Sequence, residues 1–253
     1  MAGPRSLLML AFEFPPLTTV GVQRSLKLAK YLPEHGVTPI VVTTDRASLQ
    51  AWFGRALDDS ALAELPAGTA IHRVPCPKPA VPAGLWARRL RRVLSLGDED
   101  IGSQWEPALT AVWDQIVADA RPDAVYVSLP PFSVAPLAAK LARRSGLPLV
   151  IDFRDSWSQW CHSPRASWLH YQMIVQRERY CLEAAAVVVG TTGQIVHELQ
   201  AVHPGVSSGK FAVIANGYDA ALPAAIEARS PAADPFVIGY VATTAPSPTR
   251  ASA

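Results

Sequence analysis

Short, continuously apolar runs recur along this chain, each followed by a segment with helical periodicity, and that alternation narrows its possible folds most. Leu7–Phe14 reads as a first strand, stopped by Pro15-Pro16 because proline donates nothing to a ladder. Val22–Leu32 then places Val22, Leu26, Ala29 and Leu32 on one helical face, with Gly36 as its stop. Further strands are expected at Thr38–Thr44, Ala70–Val74, Ala124–Leu129, Leu147–Phe153, Ala185–Val189 and Phe211–Ala215. Helices are expected near Leu85–Leu96, Gln104–Ala120, Ser133–Ser145, Ala166–Ala184 and Thr192–Val202, with a proline-rich irregular stretch over Pro75–Gly84. Strands that are apolar throughout, rather than at every second position, belong to a parallel sheet covered on both faces. The expected class is therefore α/β, a parallel sheet with helices on both faces. Residues 1–218 form the expected first domain, 219–234 an alanine- and proline-rich linker, and 235–253 the start of a second domain. In that last stretch the strand Phe236–Val241 (FVIGYV) is followed by ATTAPSPTRASA, which reads as a disordered tail.

The composition removes several function classes. A formal net charge of +2 argues against a nucleic-acid partner, which calls for a stronger basic bias. Cys76, Cys161 and Cys181 have neither metal-site nor disulfide-framework spacing, and the six histidines are scattered, so no metal and no cofactor are expected. The opening MAGPRSLLMLAFEFPP is too short and too soon interrupted by Glu13 for a secretory signal, and reads as a buried strand. No run approaches the ~20 apolar residues of a spanning helix. A cytoplasmic protein is expected, with one candidate for peripheral membrane contact. In ARRLRRVL, Arg88, Arg89, Arg91 and Arg92 lie among Leu90, Val93 and Leu94, which suits either an anionic bilayer or an ordinary solvated helix face.

Ligands of parallel sheets bind beyond the carboxyl ends of the strands, which directs attention to four loops. FPPLTTVGVQR (Phe14–Arg24) leads through Thr18, Thr19 and Gly21 into a helix, where free backbone N–H groups can meet a phosphate or sugar; a plain capped turn is the other reading. The chain lacks GxGxxG and GxxxxGK[ST], which weighs against a nicotinamide dehydrogenase and a P-loop nucleotidase. SLPPFS offers Ser128 and Ser133 to a polyhydroxylated ligand, although Ser133 also suits a helix cap. IDFRDSW places three charges at a strand end, where burial without partners costs several kcal/mol. There Asp152 can hold or deprotonate a sugar hydroxyl, Arg154 can face a phosphate and Trp157 can stack on a sugar ring. An internal Asp–Arg pair anchoring the loop is the alternative. Asn216-Gly217 in ANGYD favours a tight turn at the end of the first domain.

In their order along the chain, FPP…GVQR…KLAKYLPEHG, RPDAVYVSLPPFS, VIDFRDSW, ERYCLEAAAVVVGTT and VIANGYD resemble the family-4 class of GT-B glycosyltransferases, over about residues 6–241. The resemblance implies a Rossmann-like domain that is the N-terminal, acceptor-side half of a GT-B fold. It implies retaining transfer from a nucleotide-sugar donor to a glycan or lipid-linked acceptor in polysaccharide or glycolipid assembly, without a metal ion. Asp152 and Asp155 take catalytic positions by this resemblance; Thr18, Thr19, Gly21, Arg24, Ser128, Ser133, Arg154, Trp157 and Asn216 line the substrate side. The donor domain would follow FVIGYV with a glycine-rich turn, which ATTAPSPTRASA does not resemble, so a half-enzyme with little or no activity of its own is expected. A non-catalytic glycan- or partner-binding module on the same fold is the alternative. An unpaired apolar strand is also an aggregation hazard. Deleting residues 235–253 is expected to raise the soluble fraction on expression; no change would mean that the strand is covered.

Overall fold

A computed structural model describes residues 5–54, 56–79, 84, 86, 101–159 and 167–219. Outside them lie the helix expected over 85–96 apart from Trp86, with its arginines Arg88, Arg89, Arg91 and Arg92, the linker beyond Asp219 and the strand over 236–241. The chain divides into two compact units, Met1–Asn216 and Gly217–Ala253, and every element described below belongs to the first.

The strands are β1 (Arg5–Leu10), β2 (Val37–Thr44), β3 (Ala70–Val74), β4 (Ala124–Leu129), β5 (Leu149–Phe153), β6 (Val187–Gly190) and β7 (Phe211–Val213). They form one sheet in the order β3-β2-β1-β4-β5-β6-β7, parallel at every pairing. The helices are α1 (Val20–Tyr31), α2 (Arg46–Phe53), α3 (Ile101–Ala120), α4 (Val134–Ser145), α5 (Trp168–Ala184) and α6 (Gly193–Val202). The expected Rossmann-like class is what the chain adopts. Pro39 is tolerated inside β2 because β3 joins only from Ile40 onward, leaving one edge unpaired there.

Side-chain alternation along the strands sorts the core into two layers. Met9, Ala11, Val41 and Tyr126 meet Val22, Leu26 and Ala29 of α1 and Leu49 of α2. Leu8, Leu10, Val127, Ile151 and Val188 meet α3 through Trp105, Leu109 and Trp113, and α4, α5 and α6 through Leu141, Leu182 and Leu199. The chain thus runs outward from β1 under one layer of helices, then crosses back to β4 and continues under the other. That reversal between β1 and β4 opens a crevice at the carboxyl edge, the place where sheets of this kind take ligands.

Two local expectations shift. The apolar run Leu7–Phe14 pairs only as far as Leu10, because an apolar run reports burial and not ladder partners. Phe12 instead packs edge-on to Trp105 at 5.4 Å and Phe14 joins the opposite core layer. Helix α2 lies where no element was expected. Asp45 caps it by accepting a hydrogen bond from Ser48 N at 2.8 Å, and its apolar face is too short to stand out as a period.

The two inner helices approach through Gly102, whose N–H donates to Ser133 Oγ at 2.9 Å. A Cβ at Gly102 would lie 1.9 Å from the Ser133 carbonyl oxygen, a backbone atom, so α3 would have to move off α4. Gly102→Ala is expected to cost about 1–3 kcal/mol by overpacking. Gly193→Ala, where nothing lies within 4 Å, should cost nothing or stabilise slightly. Urea midpoints of the two variants check this, and equal midpoints would contradict it.

Candidate functional site

Four loops rise from the carboxyl edge: those after β1, β4, β5 and β7. Two charged clusters tie them together.

The first is built on Arg24, one turn into α1. Its Nε donates to Asp152 Oδ2 at 2.5 Å and its Nη2 to Asp152 Oδ1 at 2.9 Å, a two-pronged contact suited to the planar guanidinium. The Tyr126 hydroxyl donates to Asp152 Oδ2 from the same face of β4. Arg24 also reaches the segment after β7: Nη2 donates to Ile214 O at 2.9 Å, and Nη1 to Ala215 O at 3.3 Å and Asn216 Oδ1 at 3.1 Å. Burial alone would lower the Arg24 pKa, but the hydrogen bond to Asp152 and its charge outweigh that and hold the guanidinium above its ordinary value. Burial, and then the neighbouring Asp152 charge, push the Tyr126 hydroxyl well up, so it stays a donor.

The second cluster surrounds Gly21. The Thr19 hydroxyl donates to Glu13 Oε2 at 2.6 Å instead of capping α1. Glu13 Oε1 lies 3.8 Å from Arg154 Nη2. Arg154 is held by the turn after β4, donating from Nε to Leu129 O at 2.9 Å and from Nη2 to Pro130 O at 2.5 Å. A Cβ at Gly21 would fall 2.1 Å from Glu13 Oε2 and 2.3 Å from Arg154 Nη1. Only glycine lets the start of α1 sit this close to both side chains.

These clusters recast several expected roles. Asp152 is wholly buried, with both oxygens engaged by Arg24 and Tyr126, so it anchors the edge and offers no oxygen to a ligand. The anchoring pair anticipated within IDFRDSW exists, but its arginine is Arg24, not Arg154. Trp157 is 1% exposed and stacks on Phe132 with ring centroids 5.7 Å apart, so its face is already taken and no sugar can lie on it. Ser133 faces inward to α3, and Ser128 is buried beside Asp152 in the β4–β5 register. Thr18 and Asp155 are the expected residues left open: both are exposed, and neither side chain has a hydrogen-bond partner among the described residues. Asn216 is exposed too, with its side-chain oxygen facing Arg24.

Sequence reasoning missed several participants, Tyr126 among them. Glu13 was legible as a charge at a strand's carboxyl end, the same signal that singled out IDFRDSW. Glu178 and His203 were not. They form a buried pair at 2.7 Å, and Glu178 Oε1 accepts the Ser158 N–H at 3.0 Å. Nearer to Asp155, the Ser156 hydroxyl donates to Glu198 of α6 and, with Gln194, lowers the pKa of that carboxyl. Ser156 and Ser158 thus hold the loop on the C-terminal side of Asp155, and on its other side Arg154 N donates to Leu129 O at 3.1 Å. Among the described residues no three His, Cys, Asp or Glu side chains group as metal ligands, and no helix is long and apolar enough to cross a membrane.

Gly21→Ala must displace the side-chain ends of Glu13 and Arg154, which are flexible, and is expected to cost no more than about 1 kcal/mol. Pairing it with Glu13→Gln, whose end remains in the way, should not relieve the loss, whereas Glu13→Ala should relieve part of it; additive losses in urea unfolding would refute the clash.

Comparison with known proteins places this edge in a family. No curated protein sequence matches the chain significantly. Among solved structures, UGT2 from Phytolacca americana, complexed with UDP-2fluoro-glucose and pterostilbene, superposes with a TM-score of 0.53 at 10% identity, over 90% of this chain and 57% of that one. UDP-GlcNAc 2-epimerase from Neisseria meningitidis, bound to UDP-GlcNAc, gives a TM-score of 0.47 at 14% identity, over 83% and 45% of the two chains. HepE from Anabaena, in complex with UDP-glucose, gives 0.47 at 13% identity, over 85% and 44%. The chain thus spans about half the length of these structures, and what it shares with the first of them is a fold. The sequence profile of the glycosyl transferase 4-like domain matches residues 21–217, most of the chain and all four edge loops but the start of the first, and the protein belongs to that family, with a GT-B-like Rossmann domain.

Proposed function

We propose that this chain is the acceptor-side half of a retaining glycosyltransferase that moves a sugar from a nucleotide diphosphate to a glycan or lipid-linked acceptor in polysaccharide or glycolipid assembly, at the cytoplasmic side. The observation that carries the reading is the family match over an edge that leaves Asp155 exposed, with no side-chain partner among the described residues, between the backbone anchor of Arg154 and the contacts of Ser156 and Ser158, beside the Gly21 cluster. In this reading Asp155 orients or deprotonates the acceptor hydroxyl, a role worth roughly 10²–10⁴ in rate for a well-placed base. Thr18 hydrogen-bonds the acceptor. Gly21 lets the first N–H groups of α1 approach the departing diphosphate, with Arg154 alongside. Catalysis then rests on orientation and on stabilising the leaving group. Residues 1–218 are the acceptor domain, 219–234 the linker and 235–253 the beginning of the donor side. Peripheral membrane contact through Arg88, Arg89, Arg91 and Arg92 fits a lipid-linked acceptor.

In this reading the groups that grip the nucleotide belong to the donor-side half, so the 253-residue chain is expected to bind acceptor without turning over donor. Titrating the ¹⁵N-labelled chain with octyl glucoside below its micelle concentration should shift the amides of Thr18, Gly21 and Arg154–Trp157 saturably, and Asp155→Asn should weaken that binding at least threefold or so. Absence of saturable shifts at this edge would sink the acceptor reading. Turnover of radiolabelled UDP-glucose by the chain alone would sink the half-enzyme reading.

A further inference from the structure

A guanidinium has five N–H donors, and Arg24 uses all of them. Nε and one Nη2 hydrogen engage Asp152 at 2.5 and 2.9 Å. The remaining three go to Ile214 O at 2.9 Å, Ala215 O at 3.3 Å and Asn216 Oδ1 at 3.1 Å. The side chain is 8% exposed and Asp152 is wholly buried. Apart from these bonds, the described backbone hydrogen bonding of the segment is slight: Ile214 N donates to Gly190 O at 3.1 Å, just past the end of β7. Ile214, Ala215 and Asn216 are themselves exposed, so apolar burial does little to hold them. Asn216 is also the last residue of the first compact unit.

We propose that Arg24 is a positioning residue: a latch that pins Ile214–Asn216 to the carboxyl edge. The Asp152 carboxylate aims the guanidinium, and the three oxygens of the following segment complete its shell. Because arginine can only donate, the Asn216 oxygen must be the atom facing it, which turns the Asn216 NH₂ away from Arg24 as an oriented donor at the same edge as Thr18 and Asp155. Calling this edge a substrate site rests on the glycosyl-transfer reading; the latch itself does not. Lysine cannot replace it, since an ammonium is a point charge with three donors and no fork.

Hydrogen exchange on the 253-residue chain, with no sugar added, tests the latch. In Arg24→Lys the amides of β7 and of Ile214, whose N–H is bonded to Gly190 O, should exchange at least about tenfold faster, as expected for losing the charge-assisted hydrogen bonds that hold the segment, while those of β1 and β4 keep their protection. The Asn216 side-chain NH₂ resonances should also collapse toward random-coil shifts. Unchanged exchange over 211–214, or equal acceleration of every strand, would overturn the proposal. Should Arg24→Lys fail to fold, Asn216→Ala, an exposed position, carries the test. It should speed exchange of the Ile214 amide a few-fold while β1 and β4 stay unchanged, and no change at Ile214 would overturn the latch. A chain that shows this pattern yet ignores octyl glucoside would keep the latch and lose the acceptor reading.

Discussion

One buried ion pair, Arg24 with Asp152, organises the working edge of this domain. It joins the first turns of α1 to the end of β5, two places separated by 128 positions in the chain. Taking both charges out of water costs several kcal/mol per ion, which only good geometry and a full set of hydrogen bonds can offset. The geometry here is two-pronged, and Tyr126 completes the carboxylate while three oxygens beyond β7 complete the guanidinium. Removing either partner would strand a buried charge, a loss on the order of 3–5 kcal/mol. The pair therefore ties α1, β4, β5 and the end of the unit into one arrangement.

The candidate site lies at the point where the sheet reverses direction. Helices α1 and α2 cover one face and α3 to α6 the other, so the loops after β1 and β4 lead to opposite faces. Along this side of the fold the structure separates two kinds of polar group. Asp152, Glu178 and His203 are buried and satisfied by protein partners, and they give rigidity. Thr18 and Asp155 are exposed, with no side-chain hydrogen-bond partner among the described residues. A stiff support beneath a few open polar groups is the usual requirement for holding substrates in reactive orientation.

Much of the fold was legible in the chain. Ala70–Val74 and Ala124–Leu129 are strands with the bounds that their apolar runs suggest, and the buried face of α1 is Val22, Leu26 and Ala29, as its period requires. The failures are instructive. Leu7–Phe14 overran β1 because Phe12 and Phe14 are apolar for the sake of ring packing, not pairing. Helix α2 was invisible because eight residues give too few turns for a period, although Asp45 was a readable cap. Within IDFRDSW, Trp157 proved to be core because Phe132, from the two-proline loop, lies flat against it.

The sequence by itself determined the class of fold, the approximate positions of its strands and of its described helices other than α2, and which loops would gather at the carboxyl edge. These follow from periodicity, caps and proline stops, which act over a few residues and survive without knowledge of partners. Only the tertiary structure decided what each charged residue does. Asp152 and Asp155 are three positions apart and alike in chemistry, but one is enclosed by Arg24 and Tyr126 and the other is open to solvent. The reason is physical: the role of a carboxylate depends on which donors reach it and how much water remains, and here those donors come from distant parts of the chain.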